Sequence, residues 1–333
     1  METPPQSIIN ALDRMNLLNG AVPRGEPLAG GVSSDIWRID LPGGPICIKR
    51  ALPTLRVAAE WNAPVERNIY EARWMRVASQ AVPHAAPALL GQDAATGTLA
   101  MAYLPLERYP LWKTQLRDGL VEVAFAAQVG ASLARIHATT AAQPTLALDF
   151  PTDAIFHDIR LEPYLTHTGR ANPALAQRMQ ALIDVTQHNK HALVHGDVSP
   201  KNILRGPDGP VFLDAECAWW GDPAFDLAFC LNHLMLKCLW VPNSCRLLLE
   251  SFHRMTQAYL GLVDWEPPRA LEMRAAHLLP ALFLARVDGK SPVEYITGDA
   301  QRNKVRTTAQ RLLTDPTDQL ADVALAWQQE ITP

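Results

Sequence analysis

The sequence predicts an α+β chain with a small β-rich amino-terminal lobe and a larger, mainly helical carboxyl-terminal lobe. Three observations carry this expectation. Strand-like segments and turns crowd the first hundred residues, helical periodicity dominates after Leu120, and 333 residues suit about two compact units.

Ile8, Ile9, Leu12, Met15 and Leu18 recur at near-helical spacing, so a short amphipathic helix opens the chain over residues 6–18. Strands are expected at 26–29, 35–41 and 45–50. Leu41-Pro42-Gly43-Gly44-Pro45 turns the last two into a hairpin. Tyr70, Trp74, Met75 and Val77 mark a helix within 60–80, and residues 98–104 form a further strand after a turn at 91–97. This gives a first lobe over residues 1–103, a hinge or linker over 104–118, and a second lobe over 119–333. In the second lobe Phe125, Val129, Leu133 and Ile136 set the clearest helix, over residues 120–139. The apolar run 227–240 is interrupted by Asn232, His233 and Lys237, so it reads as a buried helix rather than a membrane span.

Hydrophobic residues make up 48% of the chain, enough for sizeable cores, and a net charge of −4 gives no basis for a nucleic-acid or membrane partner. The five cysteines contain no C-x-x-C pair, which argues against a zinc cluster and a disulfide framework. The first residues, Met-Glu-Thr-Pro-Pro-Gln, lack the basic start and apolar run of a secretory signal. A cytoplasmic monomer or homodimer is expected.

The densest chemical signal lies in Val194-His195-Gly196-Asp197-Val198-Ser199-Pro200-Lys201-Asn202-Ile203-Leu204, then Val211-Phe212-Leu213-Asp214-Ala215-Glu216, then Gly221-Asp222-Pro223 with Asp226. Asp197 offers a proton acceptor, Asn202 an amide oxygen and Asp214 a carboxylate. Transfer of a phosphoryl group from a nucleotide needs such a set: one group to orient a hydroxyl, and hard oxygen ligands to hold magnesium against the phosphates. The order and spacing parallel a kinase catalytic loop and its downstream metal aspartate, with His-Gly-Asp in place of His-Arg-Asp. Taken alone, an aspartate in such a loop also reads as a capping carboxylate.

These residues resemble the aminoglycoside phosphotransferase and choline kinase-like superfamily of small-molecule kinases. The resemblance implies a bilobal protein-kinase-like fold, ATP or GTP as phosphoryl donor, Mg2+, and a small hydroxyl compound as acceptor. Upstream, Leu28-Ala29-Gly30-Gly31-Val32-Ser33-Ser34-Asp35 stands where a phosphate loop belongs; Gly30, Gly31, Ser33 and Ser34 are the candidates, though the turn chemistry also suits a plain hairpin. Lys49 in Ile46-Cys47-Ile48-Lys49 matches the phosphate-holding lysine. Glu71 is its expected partner, with Glu66 one helical turn earlier as rival. Met101 and Tyr103 fall where a hinge strand would meet the purine.

Asp197 is the expected catalytic residue and His195 a buttress of its loop. Lys201 either neutralises the transferring group or is solvated. Asn202 and Asp214 are the expected metal ligands, with Glu216, two residues along a strand-like run, facing the same side and linked to the metal directly or at one remove. Asp222 and Asp226 read as structural tethers and caps. No long activation segment ending in Ala-Pro-Glu follows Asp214, which points away from a protein acceptor.

For the acceptor, Arg286, Asp288 and Lys290 form a cluster around a Gly turn, either a substrate wall or a solvated helix end. Residues 301–333 balance four acids against four bases, so no acidic surface for a polycation shows. An aromatic cage for a quaternary amine would need Trp219, Trp220, Trp240 and Tyr295 to converge. A sugar, polyol or amino alcohol leads, with an acidic metabolite next. A nucleotide-binding pseudokinase and a nucleotidyl transferase are the alternatives.

Overall fold

The computed structural model describes residues 1–28, 34–52 and 64–332, so the candidates Gly30, Gly31 and Ser33 lie outside the described residues. The chain opens with α1 (Gln6–Arg14), then β1 (Arg24–Pro27), β2 (Ser34–Leu41), β3 (Gly44–Ala51), α2 (Arg67–Ala81), β4 (Leu89–Asp93) and β5 (Thr98–Ala102). The strands form an antiparallel sheet in the order β1-β2-β3-β5-β4. In the β2–β3 hairpin Leu41 pairs with Gly44, whose φ of 111° suits glycine.

Alternation along β3 divides its side chains between two cores. Ile46 and Ile48 join Trp37, Ile39 and Ala100 against Ile8 and Leu12 of α1. Cys47 packs with the other, larger core, which holds Leu99 and Met101 of β5 and Trp74 and Met75 of α2. Lys49, two residues on, shares that side.

Two expectations for this region need correction. Residues 91–97 are not one turn, because β4 carries Gly91 inside a strand. A side chain there would meet Met15 Sδ at 2.9 Å, so the glycine reflects close packing rather than a turn. The opening helix stops at Arg14 rather than running to 18, and Asn16 takes a φ of 57°.

Residues 105–118 carry more structure than a plain connector. They hold α3 (Trp112–Arg117), whose Trp112 is buried, and Arg205 N donates to Pro110 O at 2.9 Å. Then follow α4 (Val123–Ala141), α5 (Asp153–Phe156), a π-helical stretch over His157–Thr166, α6 (His167–Ala171) and α7 (Ala176–His188). Short strands β6 (Ala192–Val194), β7 (Ile203–Gly206), β8 (Gly209–Phe212) and β9 (Trp219–Gly221) come next. β6 pairs with β9, and β7 with β8. The chain ends with α8 (Ala224–Trp240), α9 (Cys245–Leu260), α10 (Pro268–Asp288), α11 (Asp299–Thr314) and α12 (Leu320–Ile331).

Helix α8 is buried along nearly its whole length and carries the centre of this helical region. Among the described residues no helix is long and apolar enough to cross a membrane. Helices α4 and α9 approach closely at Gly130, where an added Cβ would sit 2.5 Å from Met255 O. The His137–Tyr259 hydrogen bond of 2.7 Å joins the same pair of helices.

Gly130→Ala should therefore lower the unfolding free energy by about 1–3 kcal/mol through overpacking, although alanine is the better helix former by about 1 kcal/mol. Urea unfolding checks this; a variant as stable as the parent would mean that α9 shifts without cost.

Candidate active site

Three elements meet at Lys49. Its ammonium, carried by β3, donates to Glu71 Oε2 of α2 at 2.6 Å and to Asp214 Oδ1 from the loop after β8. Glu66 instead lies at the amino-terminal edge of α2. Burial pulls the Lys49 ammonium down, but Asp214, Glu71 and Glu216 outweigh it, and the group titrates above the ordinary lysine value. Burial pushes the Glu71 carboxyl up despite Lys49. Asp214 is driven the other way: Lys49 and Lys201 together overcome its burial and hold it ionised below the usual carboxylate range.

Asp214 has a φ of 67°, a left-handed conformation that aspartate tolerates better than most residues. The backbone thus leaves strand geometry after Phe212, and the strand-like run expected through Glu216 is not formed. Glu216 lies in a turn, where its Oε2 accepts from Arg67 Nε at 2.8 Å. Arg67 also donates to Leu52 O at 2.8 Å and Pro64 O at 2.9 Å, which fixes the start of α2.

The 195–202 loop leaves β6 and is tethered from behind. Asp226 of α8 accepts from His195 N at 2.7 Å and from Gly196 N at 2.8 Å. His137 Nε2 lies 3.3 Å from the same carboxylate. Gly196 has a φ of 79°, and a Cβ on it would meet Cys217 O at 2.7 Å, so no arginine fits between the histidine and the aspartate. An arginine arrives from elsewhere. Arg160 of the π-helical stretch donates to Gly196 O and pairs with Asp197 Oδ2 at 2.9 Å.

Lys201 Nζ also pairs with Asp197 Oδ2, at 3.2 Å. The other oxygen, Asp197 Oδ1, is buried and has no hydrogen-bond partner. Asn202 Nδ2 donates to Asp197 O at 3.1 Å, while Leu213 N donates to Asn202 O at 2.8 Å. The β7–β8 hairpin, with Ile203 opposite Phe212, thereby holds Asn202 beside the Asp214 segment.

His195 serves the loop's architecture. Its Nδ1 accepts from Asp197 N at 3.1 Å and its Nε2 donates to Leu213 O at 3.1 Å, an arrangement that requires the neutral ring. Trp74 packs edge-on against it at 4.7 Å. Asp222 accepts Ala224 N at 3.0 Å at the start of α8 and is clamped by Arg274 at 2.9 and 3.0 Å.

Other sequence candidates stand apart from this centre. Ser34 opens β2, buried, with an unpartnered hydroxyl. Met101 is buried in β5, and Tyr103 just beyond it lies under the Arg38 guanidinium at 5.1 Å. Arg286, Asp288 and Lys290 do not converge. Arg286 Nη1 donates to Tyr164 OH at 2.8 Å, whereas Asp288 is bound by Arg306 at 2.7 Å and Lys290 N reaches Pro163 O at 3.1 Å. Arg286 also borders a pocket of about 300 Å³ with Glu294, Arg302 and Arg306. Trp219 stacks on Phe156 at 4.2 Å as core, so the four expected aromatics form no cage.

Sequence reasoning passed over Arg67 and Arg160. Arg67 carried a readable signal, since it precedes Glu71 by four residues and so shares its helix face. Arg160, between Ile159 and Leu161, had none.

A model of the phosphotransferase enzyme family matches residues 24–271. Methylthioribose kinase of Bacillus cereus is 24% identical over 234 residues, covering 61% of this chain and 58% of that protein. The chain thus spans less than two thirds of the length of these relatives. Among solved structures, a choline/ethanolamine kinase family protein from Mesorhizobium loti superposes with a TM-score of 0.53 at 16% identity over 97% of this chain and 99% of its own. An amicoumacin kinase solved with AMP-PNP, Ca2+ and its ligand gives 0.56 at 13% identity over 90% and 91%. Both likenesses establish the protein-kinase-like fold.

Burial lowers the pKa of His195 and drives that of His233 well down. The unfolded chain takes up these protons near pH 6.5 while the folded chain resists them. Both groups therefore contribute stability that is complete above about pH 6.5 and is lost as pH falls towards their folded values, each with a slope approaching about 1.4 kcal/mol per pH unit. Urea unfolding at pH 7.5 and 5.5 should show the decline, and His233→Gln should flatten it.

Proposed function

The chain belongs to the phosphotransferase enzyme family, and on that premise we propose that it transfers the γ-phosphoryl group of ATP or GTP to a hydroxyl of a small metabolite. The observation that carries this reading is Asp197. One oxygen is held by Arg160 and Lys201, and the other is buried and, among the described residues, accepts no hydrogen bond. Such a carboxylate is oriented by its pairs yet free to take a hydroxyl proton.

The reading assigns the remaining groups by charge. Lys49 serves the nucleotide phosphates and is positioned by Glu71. Ser34 with Gly30, Gly31 and Ser33 would approach the phosphates, and Met101 with Tyr103 the base. Among the described residues Lys49 and Arg67 pair with the carboxylates of Glu71, Asp214 and Glu216, and Lys201 adds its charge at Asp214. Asp214 and the amide oxygen of Asn202 are hard oxygen donors, which fits a divalent ion such as Mg2+. Asn202 and Asp214 would hold it, with Glu216 beside them and already bonded to Arg67. Bound there, magnesium neutralises the phosphate oxygens against which the acceptor moves.

In the transfer, the acceptor oxygen forms a bond to the γ-phosphorus as the bond to the β–γ bridging oxygen breaks, and the acceptor proton passes to Asp197 Oδ1. Lys201 and Arg160 lie beside the carboxylate that becomes neutral and the phosphoryl group that arrives.

Asp197→Asn should lower kcat by at least about a hundredfold while nucleotide affinity changes by less than about threefold. Product mass, by one added phosphoryl unit, identifies the reaction. Equal loss of nucleotide binding would make Asp197 a structural residue, and a product retaining the base would replace phosphoryl with nucleotidyl transfer. Asp214→Asn should abolish the magnesium dependence of nucleotide affinity, measured by calorimetry with and without the ion. An unchanged dependence would remove Asp214 from the metal site.

A further inference from the structure

Helix α8 carries three residues at four-residue spacing, Phe229, His233 and Lys237, each about 6 Å further along its axis. The first touches the site already described: the Arg160 guanidinium lies 5.8 Å from the Phe229 ring and is bonded to Asp197. The row then leads away from Asp197 into the helical region. His233 packs on Phe229 at 5.6 Å. Lys237 puts its ammonium 4.9 Å from the Trp240 ring and 4.6 Å from the Tyr295 ring, which stack on each other at 4.5 Å.

Lys237 is 1% exposed, and among the described residues no carboxylate pairs with its ammonium. The nearest acid able to influence it, Glu294, is bonded to Lys113. Arg286, 8% exposed, stands close enough to add to the same field, and the neutral His233, 6% exposed, lies within reach of both cations. Three more atoms of this cluster are buried without partners: His233 Nε2, Arg286 Nε and Tyr295 Oη.

A core lysine satisfied by aromatic faces is the bland account. Cation–π attraction offsets only part of the cost of burying an ammonium, and it leaves the other three atoms unexplained. Lys237 together with three further unpaired nitrogen and hydroxyl groups in one electrostatically linked cluster is instead the complement of an anion. Burial, with Lys113 and Arg286 nearby and Glu294 opposing, pulls the Lys237 ammonium down to about 7, as expected of a cation whose counter-charge is missing. The same ammonium already occupies the aromatic pair, which leaves no place there for a cationic ligand.

We propose that Lys237, His233, Arg286 and Tyr295 form an anion subsite of the acceptor pocket, so that the acceptor is a hydroxylated organic acid. Its hydroxyl meets Asp197 while its carboxylate or phosphate group pairs with Lys237 and Arg286. Lys113 and Glu294 pair with each other on the solvent side of this cluster. The proposal rests on the phosphotransferase reading for the reacting end of the acceptor and on these four residues for the other.

The test has two independent arms. Nucleotide-free protein and Lys237→Met are titrated calorimetrically with D-glucuronate, glucose 6-phosphate and inorganic phosphate, and their melting temperatures compared. At least one anion should bind the parent, at least tenfold more weakly to the variant, and the variant should melt no lower, because removing an unpaired buried charge does not destabilise. Glucuronate against glucose 6-phosphate separates a carboxylate from a phosphate ligand. Absence of anion binding, equal binding to both proteins, or a lower melting temperature of Lys237→Met overturns the subsite. The second arm offers the acids, neutral glucose and sorbitol, and cationic glucosamine as acceptors with ATP and magnesium. Phosphorylation of the neutral or cationic compounds in preference to the acids overturns the subsite and leaves the phosphotransferase reading standing. Binding of acids without transfer to any acceptor does the reverse.

Discussion

The ammonium of Lys49 is the constraint on which the arrangement of the site depends. It comes from the sheet, yet its two carboxylate partners come from α2 and from the loop after β8. Drawing a cation and two anions out of water costs several kcal/mol per ion, and that cost is recovered only if their geometry is held. The surroundings hold it. Asn68 Nδ2 ties α2 to Gly97 O at 2.7 Å, Arg67 bonds α2 to Glu216, and the left-handed backbone at Asp214 is tolerated for the position it gives the carboxylate. A shift of any one element leaves a buried charge uncompensated, so sheet and helical region are coupled through charge as well as through apolar packing.

A second buried carboxylate, Asp226, does for the 195–202 loop what Lys49 does for the junction. It takes two successive backbone N–H groups and stands at the head of α8, the most completely buried helix of the helical region. Charge-assisted bonds of this kind hold a loop more firmly than neutral ones. The loop is therefore built on a helix whose own position is set by packing, so Asp197 inherits the rigidity of a core element although it lies in a loop. Gly196 completes the device, since only a residue without Cβ follows that path past Cys217.

Much of this was legible in the sequence, and the limits have physical causes. Local signals served well for the β2–β3 hairpin from its turn and for α4 from its periodicity, and the loop pattern singled out Asp197, Asn202 and Asp214, which the fold brings to neighbouring segments. Glu71 faces Lys49 because helix geometry sets it on the inner face, a choice the sequence narrowed to two residues. What failed depended on contacts distant in the chain. Gly91 reads as a turn until Met15, 76 positions earlier, is seen packed on it. Glu216 reads as part of a strand because alternation assumes an extended backbone, and one positive φ at Asp214 breaks the assumption. Arg160 lies 37 residues before Asp197, in a π-helical stretch without motif, and no local pattern announces such a pairing.

The charges also fall into an order along the molecule that no single motif displays. On the sheet side, among the described residues, Lys49 and Arg67 pair with three carboxylates, more acids than paired cations. At Asp197 the balance reverses, with Arg160 and Lys201 against one carboxylate. Beyond it, Lys237 of α8 and Arg286 of α10 stand with no carboxylate pairing either ammonium or guanidinium among the described residues. Because unpaired buried charge is destabilising, folding alone gives no reason to place cations progressively deeper in that direction. The proposed transfer to an acidic acceptor would supply one: it would need positive charge on both sides of the transferring group, from Lys49 on one side and from the chain's other arginines and lysines on the other. On that proposal, stability conceded at Lys237 would be the counterpart of affinity for an acidic acceptor, and the two properties would move in opposite directions when that charge is removed.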